Sequence, residues 1–152
     1  MIKAVTFDLW DTVIHDDSDE PRRAAQGLRS KKEERRYLLW QALNNEVPIT
    51  QEEVWLACNT TDAAFNHVWH EQFVTWCVRE RLQIAINGLD RNLSESAMDF
   101  VVQQYEEMEI SVAPDMIDGV SDAIADLAQD FPLAVVSDAI VSPGRCLRQW
   151  LE

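Results

Sequence analysis

The chain is predicted to be an α/β protein in which a doubly wound parallel core is interrupted by a helical block. Three observations lead there. The run Val5-Thr6-Phe7 is apolar and β-branched and stops abruptly at Asp8. Between about Glu20 and about Glu109 nearly every segment has helical period, with polar breaks. A second apolar run, Pro132-Leu133-Ala134-Val135-Val136, again stops at polar residues, Ser137-Asp138. Short apolar runs of this kind are how buried strands of a parallel sheet read. Helices between and after them supply the crossovers such a sheet needs.

The elements follow in order. Residues 3–8 read as the first strand, and residues 9–18 as a loop rich in aspartate (Asp11, Asp16, Asp17). A first helix is expected from Pro21 to Leu43, stopped by Asn44-Asn45-Glu46-Val47-Pro48. Thr50-Gln51-Glu52-Glu53 has the pattern of a capping box, in which Thr50 and Glu53 satisfy each other's free backbone N–H groups. The helix it opens carries Val54, Trp55 and Cys58, and Asn59-Thr60-Thr61-Asp62 reads as a break. Beyond it, Phe65, Val68, Trp69, Phe73, Trp76 and Cys77 lie on one broad helical face. Asn87-Gly88 ends an element, and Ser94 or Asn92 caps a helix through Phe100, Val101 and Tyr105. Pro114 and Gly119 punctuate a loop, and Val120, Ile124 and Leu127 mark a short amphipathic helix. After the second strand, expected over 133–137, Ser142-Pro143-Gly144 opens a last helix with proline at its first position.

Composition narrows the function classes. The chain has 152 residues, 47% of them hydrophobic, enough for a packed core. No run of about 18 apolar residues suits a transmembrane helix. The N-terminus lacks the layout of a signal peptide. A net charge of −14 argues against nucleic acid and anionic membranes as partners. Cys58, Cys77 and Cys146 are widely spaced and odd in number, as expected of free thiols in a cytoplasmic protein.

Asp8 carries the chemistry. Ligands of open parallel sheets bind at the carboxyl ends of the strands, and an aspartate there can act as a nucleophile. The run Asp8-Leu9-Trp10-Asp11-Thr12 after a hydrophobic strand resembles the first motif of the haloacid dehalogenase (HAD) superfamily, Asp-x-x-x-Thr. Ser137 stands where that superfamily has its second motif, a Ser or Thr ending the next core strand. A helical insert between the two motifs is similar to the family's C1 cap. The resemblance implies a Rossmann-like HAD core, incomplete and with two parallel strands present, formed by residues 1–17 and 113–152. Residues 18–112 would be an inserted all-helical cap.

Roles follow by the same resemblance. Asp8 matches the nucleophile, Thr12 the residue that orients it, and Ser137 the hydroxyl that binds a transferring phosphoryl group or the Asp8 carboxylate. Trp10 and Asp138 flank them as substrate-binding positions. The Asp8 carboxylate and the Trp10 backbone carbonyl would ligate Mg²⁺, the cofactor of the phosphatase members. The expected reaction is attack of Asp8 on a small organic phosphate.

Two departures matter. Phosphatases of the family have a second aspartate at the position of Trp10, and an indole has no titratable proton for acid–base work. Asp11, next door, would point elsewhere along an extended segment. Dehalogenase members carry an aromatic residue there, which makes a 2-haloacid dehalogenase-like hydrolase the first rival. However, Asp138 follows Ser137 where those enzymes show asparagine. The second rival is a catalytically silent binding or regulatory module. The other departure is that the family's third-motif lysine and fourth-motif acidic pair are not found, since Lys3, Lys31 and Lys32 lie in the wrong segments. The expectation is an N-terminal fragment of a longer hydrolase, inactive as 152 residues. It would be poorly folded as a monomer and prone to self-association through an exposed strand edge.

Weaker patterns read blandly. Seven of the thirteen basic residues fall between Arg22 and Arg36, and the spacing of Arg22, Arg29 and Arg36 puts them on one helical face, read as solvated and paired with Glu33 and Glu34. His67 and His70 beside Glu71 read as surface histidines, and the tryptophans as packing anchors.

Overall fold

The computed structural model describes residues 1–151. In chain order the elements are β1 (Val5–Phe7), α1 (Glu20–Ala25), α2 (Lys31–Glu46), α3 (Gln51–Gln72), α4 (Val78–Gly88), α5 (Glu95–Glu106), α6 (Met108–Ser111), α7 (Val120–Ala128), β2 (Leu133–Val135) and α8 (Gly144–Leu151). They form two compact units, Met1–Leu28 with Val112–Asp138, and Arg29–Ser111 with Ala139–Glu152.

In the first unit β1 and β2 pair in parallel, Val5 opposite Leu133 and Phe7 opposite Val135. Val5 N–H donates to the Pro132 carbonyl at 3.0 Å, and Val136 N–H to the Phe7 carbonyl at 2.8 Å. Among the described residues these two strands are the whole sheet. The core of this unit is not in the strands, whose residues are half-buried or exposed. It is the loop after β1, where Leu9, Val13 and Ile14 are sealed from solvent. The amide groups of Val13 and Ile14 both donate to the Leu9 carbonyl, at 2.9 and 3.1 Å, so the loop closes on itself and tucks its apolar side chains inward. Helix α7 begins after Gly119, whose φ of +80° suits a residue without Cβ. It is amphipathic, yet none of its residues is fully buried.

The second unit is helical. Leu39 and Leu43 of α2, Val54 and Cys58 of α3, Leu82, Ala85 and Ile86 of α4, and Met98 and Val101 of α5 make one buried cluster. Trp40 and Trp55 pack half-buried against it, and Trp40 Nε1 donates to the Ile49 carbonyl at 2.9 Å. A second anchor is Phe65, buried and stacked on Trp69 at 6.0 Å, with Trp76 at 5.9 Å. Each such aromatic removes a large apolar area from water, and truncating a buried Phe typically costs about 3–5 kcal/mol.

Several sequence expectations change. The helix expected from Pro21 to Leu43 is two helices, because Gly27 adopts φ +72° and Ser30 starts a new one by accepting from Glu33 N at 3.2 Å. Arg22, Arg29 and Arg36 therefore do not share a helical face. The break expected at Asn59–Asp62 is absent, and α3 runs through it. Its polar side chains are engaged without competing for the helix: Thr60 Oγ1 donates back to the Leu56 carbonyl at 2.9 Å, and Asn59 and Asp62 accept from arginines. The break comes instead at Phe73, in the left-handed region at φ 56°, and it divides the expected aromatic helix. Cys77 then caps α4, its amide donating to Glu80 at 2.8 Å. Pro143 stands just before α8 rather than inside it, its carbonyl accepting from Cys146 N at 2.8 Å. Among the described residues, those from Ala139 onward group with the helices. The physical reason is that Ser142 and Arg145 bond to Glu109, Glu106 and Glu107.

Candidate functional site

Asp8, Trp10, Thr12, Ser137 and Asp138 all belong to the first unit. Asp8 follows β1 directly and Ser137 lies two residues past β2. Because the two strands are parallel neighbours, both residues stand at the same end of the sheet, the carboxyl end. Asp8 is exposed, and its Oδ1 accepts from Leu9 N at 2.8 Å, which holds one carboxylate oxygen in place. The next residue, Leu9, is fully buried.

Ser137 is the unusual member. Its Oγ is sealed from solvent and has no hydrogen-bond partner. A buried hydroxyl without a partner is rare, since leaving it so costs roughly 1–3 kcal/mol.

The other positions are placed as follows. Thr12 is exposed and its side chain makes no hydrogen bond to Asp8; its amide donates to the Leu9 carbonyl at 3.4 Å. Trp10 is half-buried and bridges to Ile14. Asp11 adopts φ 53°, and its Oδ1 accepts from Asp16 N at 3.1 Å, so that carboxylate closes the loop instead of standing in for an acid–base group. Asp138 is exposed. The same loop is tied down further on: Asp115 N donates to Ser18 Oγ at 2.7 Å, and Arg22 bonds the Asp115 carboxylate and the Ala113 carbonyl.

Among the described residues no group of three or more His, Cys, Asp or Glu is arranged to hold a metal ion. Asp8 and the Trp10 carbonyl alone would leave most positions of an octahedral Mg²⁺ to water and substrate. His67 and His70 are exposed, and the His70 ring rests against Trp69 at 4.5 Å.

The sequence left one constellation unread. In the helical unit Glu109 is buried and receives Lys31 and Arg35, each at 3.4 Å, together with the Ser142 hydroxyl. Asp62 receives Arg36 at 3.3 Å and Arg81 at 3.0 Å. The available signal was an acidic residue inside the apolar segment Met108–Val112, which a surface helix would not bury unpaired.

No protein-family model matches this chain, and no curated protein sequence matches it either.

Proposed function

We propose that this chain carries the nucleophile of a HAD-like hydrolase, with Asp8 attacking a small organic phosphate. The observation that carries this is the pairing at the sheet end. Two adjacent parallel strands deliver an exposed carboxylate, Asp8, and a buried hydroxyl with no partner, Ser137 Oγ, to one rim. In the proposed step an Asp8 oxygen forms a bond to phosphorus and the ester oxygen leaves with its electron pair. Water then cleaves the aspartyl phosphate, releasing phosphate and restoring the carboxylate. Ser137 donates to a phosphoryl oxygen, where charge develops. Mg²⁺, when bound through Asp8 and the Trp10 carbonyl, would screen the two negative groups from each other. The described residues fit that ion only in part.

Trp10 favours a second reading. It cannot protonate a leaving alkoxide, whereas halide needs no proton to leave. In a 2-haloacid dehalogenase-like reaction Asp8 would form an ester to carbon as halide departs. A silent binding module that keeps the same fold is the third possibility, and self-association through the unpaired strand edge accompanies all three.

The test is Asp8→Asn in this chain and in any longer polypeptide that contains it, assayed for phosphate release from monoesters and halide release from 2-haloacids. Loss of one activity with unchanged circular dichroism identifies the reaction. Equal activity in both forms removes Asp8 as the nucleophile. Neither activity in the parent protein leaves the silent module.

A further inference from the structure

The helical unit has an open groove that the proposed reaction does not use. Helices α2 and α5 pack side by side and give Leu39, Leu43, Met98 and Val101 to the buried cluster. One stripe over, Leu38, Ala42 and Glu46 follow at intervals of four along α2, and Ala97 and Phe100 lie one turn apart on α5. These side chains line a groove of about 360 Å³. Small-molecule sites have volumes of about 300–1,000 Å³.

The groove has a sign. Among the described residues that line it, Glu46 alone is charged, and Asn45 adds an amide beside it. Glu46 ends α2, where the helix dipole places roughly half a negative charge. A lysine or arginine would offset that charge, and the last turn of α2 holds no basic residue. The start of α5, a positive pole, is already answered. Ser94 Oγ accepts from Ala97 N at 3.3 Å, and Glu95 stands in the first turn. Beside this negative end the wall is apolar, and the Phe100 side chain is left 57% exposed.

We propose that the groove binds a small organic cation of the alkylammonium class. The charged head meets the Glu46 carboxylate and the end of α2, and the carbon tail lies along Leu38, Ala42 and Ala97. The face of the Phe100 ring attracts the same cation through its quadrupole. A net charge of −14 raises the concentration of cations near the surface. The site is independent of the chemistry at Asp8.

Titration of the whole chain with butylammonium, followed by NMR of the backbone amides, tests it. Butanol lacks the charge, butyrate reverses it, and the ammonium ion lacks the tail. Saturable binding of butylammonium is expected, with shifts confined to the end of α2 and the start of α5. Butanol and ammonium should bind at least about fivefold more weakly, and butyrate not at all. An exposed carboxylate contributes modestly, so Glu46→Gln should weaken binding about fivefold. Glu46→Lys should abolish it. Phe100→Leu keeps the apolar wall but removes the ring, and should weaken binding about threefold. Both positions are exposed. The amide spectrum shows whether each variant keeps the fold, and should the Glu46 variants lose it, Phe100→Leu carries the test. Asp8→Asn should leave the titration unchanged, which separates this site from the one at the sheet end. No saturable binding of butylammonium would overturn the proposal. So would equal affinity for butanol, undiminished binding in the variants, or shifts centred away from α2 and α5.

Discussion

Val136 donates its amide hydrogen to the Phe7 carbonyl at 2.8 Å, one residue beyond the last paired position of β2. That bond carries the parallel register to the end of the sheet. Both strands leave it in the same direction, so Asp8 and Ser137 emerge at one rim. Had the register been antiparallel, the two side chains would lie at opposite ends and no common site would exist.

Trp10→Asp should raise phosphate-monoester turnover if Asp8 attacks phosphorus. A carboxyl two residues after the nucleophile restores proton transfer to the leaving group, an effect typically about 10²–10⁴-fold. The gain should sit toward the lower end, because Trp10 is half-buried and its surroundings are shaped around an indole. Steady-state kinetics of the two forms checks this. An unchanged or lower rate points to carbon–halogen chemistry.

The free edge of β1 should drive self-association. Val5 and Phe7 use their backbone groups toward β2, so those of Thr6 face away. Thr6→Pro removes that outward N–H while sparing the strand pair, as proline does on an edge strand. Sedimentation should show concentration-dependent association of the parent chain, reduced in Thr6→Pro with unchanged circular dichroism. Equal association in both forms would place the contact elsewhere.

The start of α3 should weaken in acid. Hydrogen bonds from the Thr50 hydroxyl at 2.6 Å and the Thr50 amide at 3.0 Å hold the Glu53 carboxyl below its ordinary value. A depressed folded value means the contribution is complete above the unfolded carboxylate value of about 4.3. It is lost as pH falls through the lower folded value. Thr50→Ala should lower the melting temperature by a few degrees at neutral pH. The difference should shrink below about pH 4, which a series of melts will show.

The cysteines should separate by reactivity. Burial pushes the Cys58 thiol up to about 11 and also raises Cys146, while Cys77 is exposed at the start of α4. At mildly alkaline pH Cys58 should react with a thiol reagent at least about a hundredfold more slowly than an ordinary free thiol. Mass spectrometry after brief alkylation should find Cys77 labelled first, with Cys58 and Cys146 labelled only in denaturant. Early labelling of Cys58 would mean that the helical core opens readily.

Local patterns were legible where the signal is short-range. The capping box at Thr50 and Glu53 and the Ser94 cap appear where their residues placed them, and the two strands lie inside their expected spans, 3–8 and 133–137, but are three residues each. Helix breaks were less legible, since they depend on what a side chain meets. Asn59, Thr60 and Asp62 resemble a break only until arginines and a carbonyl engage them. Conversely, nothing in the Phe73 side chain announces a left-handed backbone.

By itself the sequence determined that two apolar runs end in polar residues, that Asp8 and Ser137 are those residues, and that a helical block separates them. Only the tertiary structure decided that the strands pair in parallel, that the Ser137 hydroxyl is left without a partner, and that Asp62 and Glu109 are each shared by two cations. Periodicity and capping act over a few residues and can be read along the chain. Burial and charge balance depend on contacts between residues far apart in sequence, so they exist only once the chain has packed.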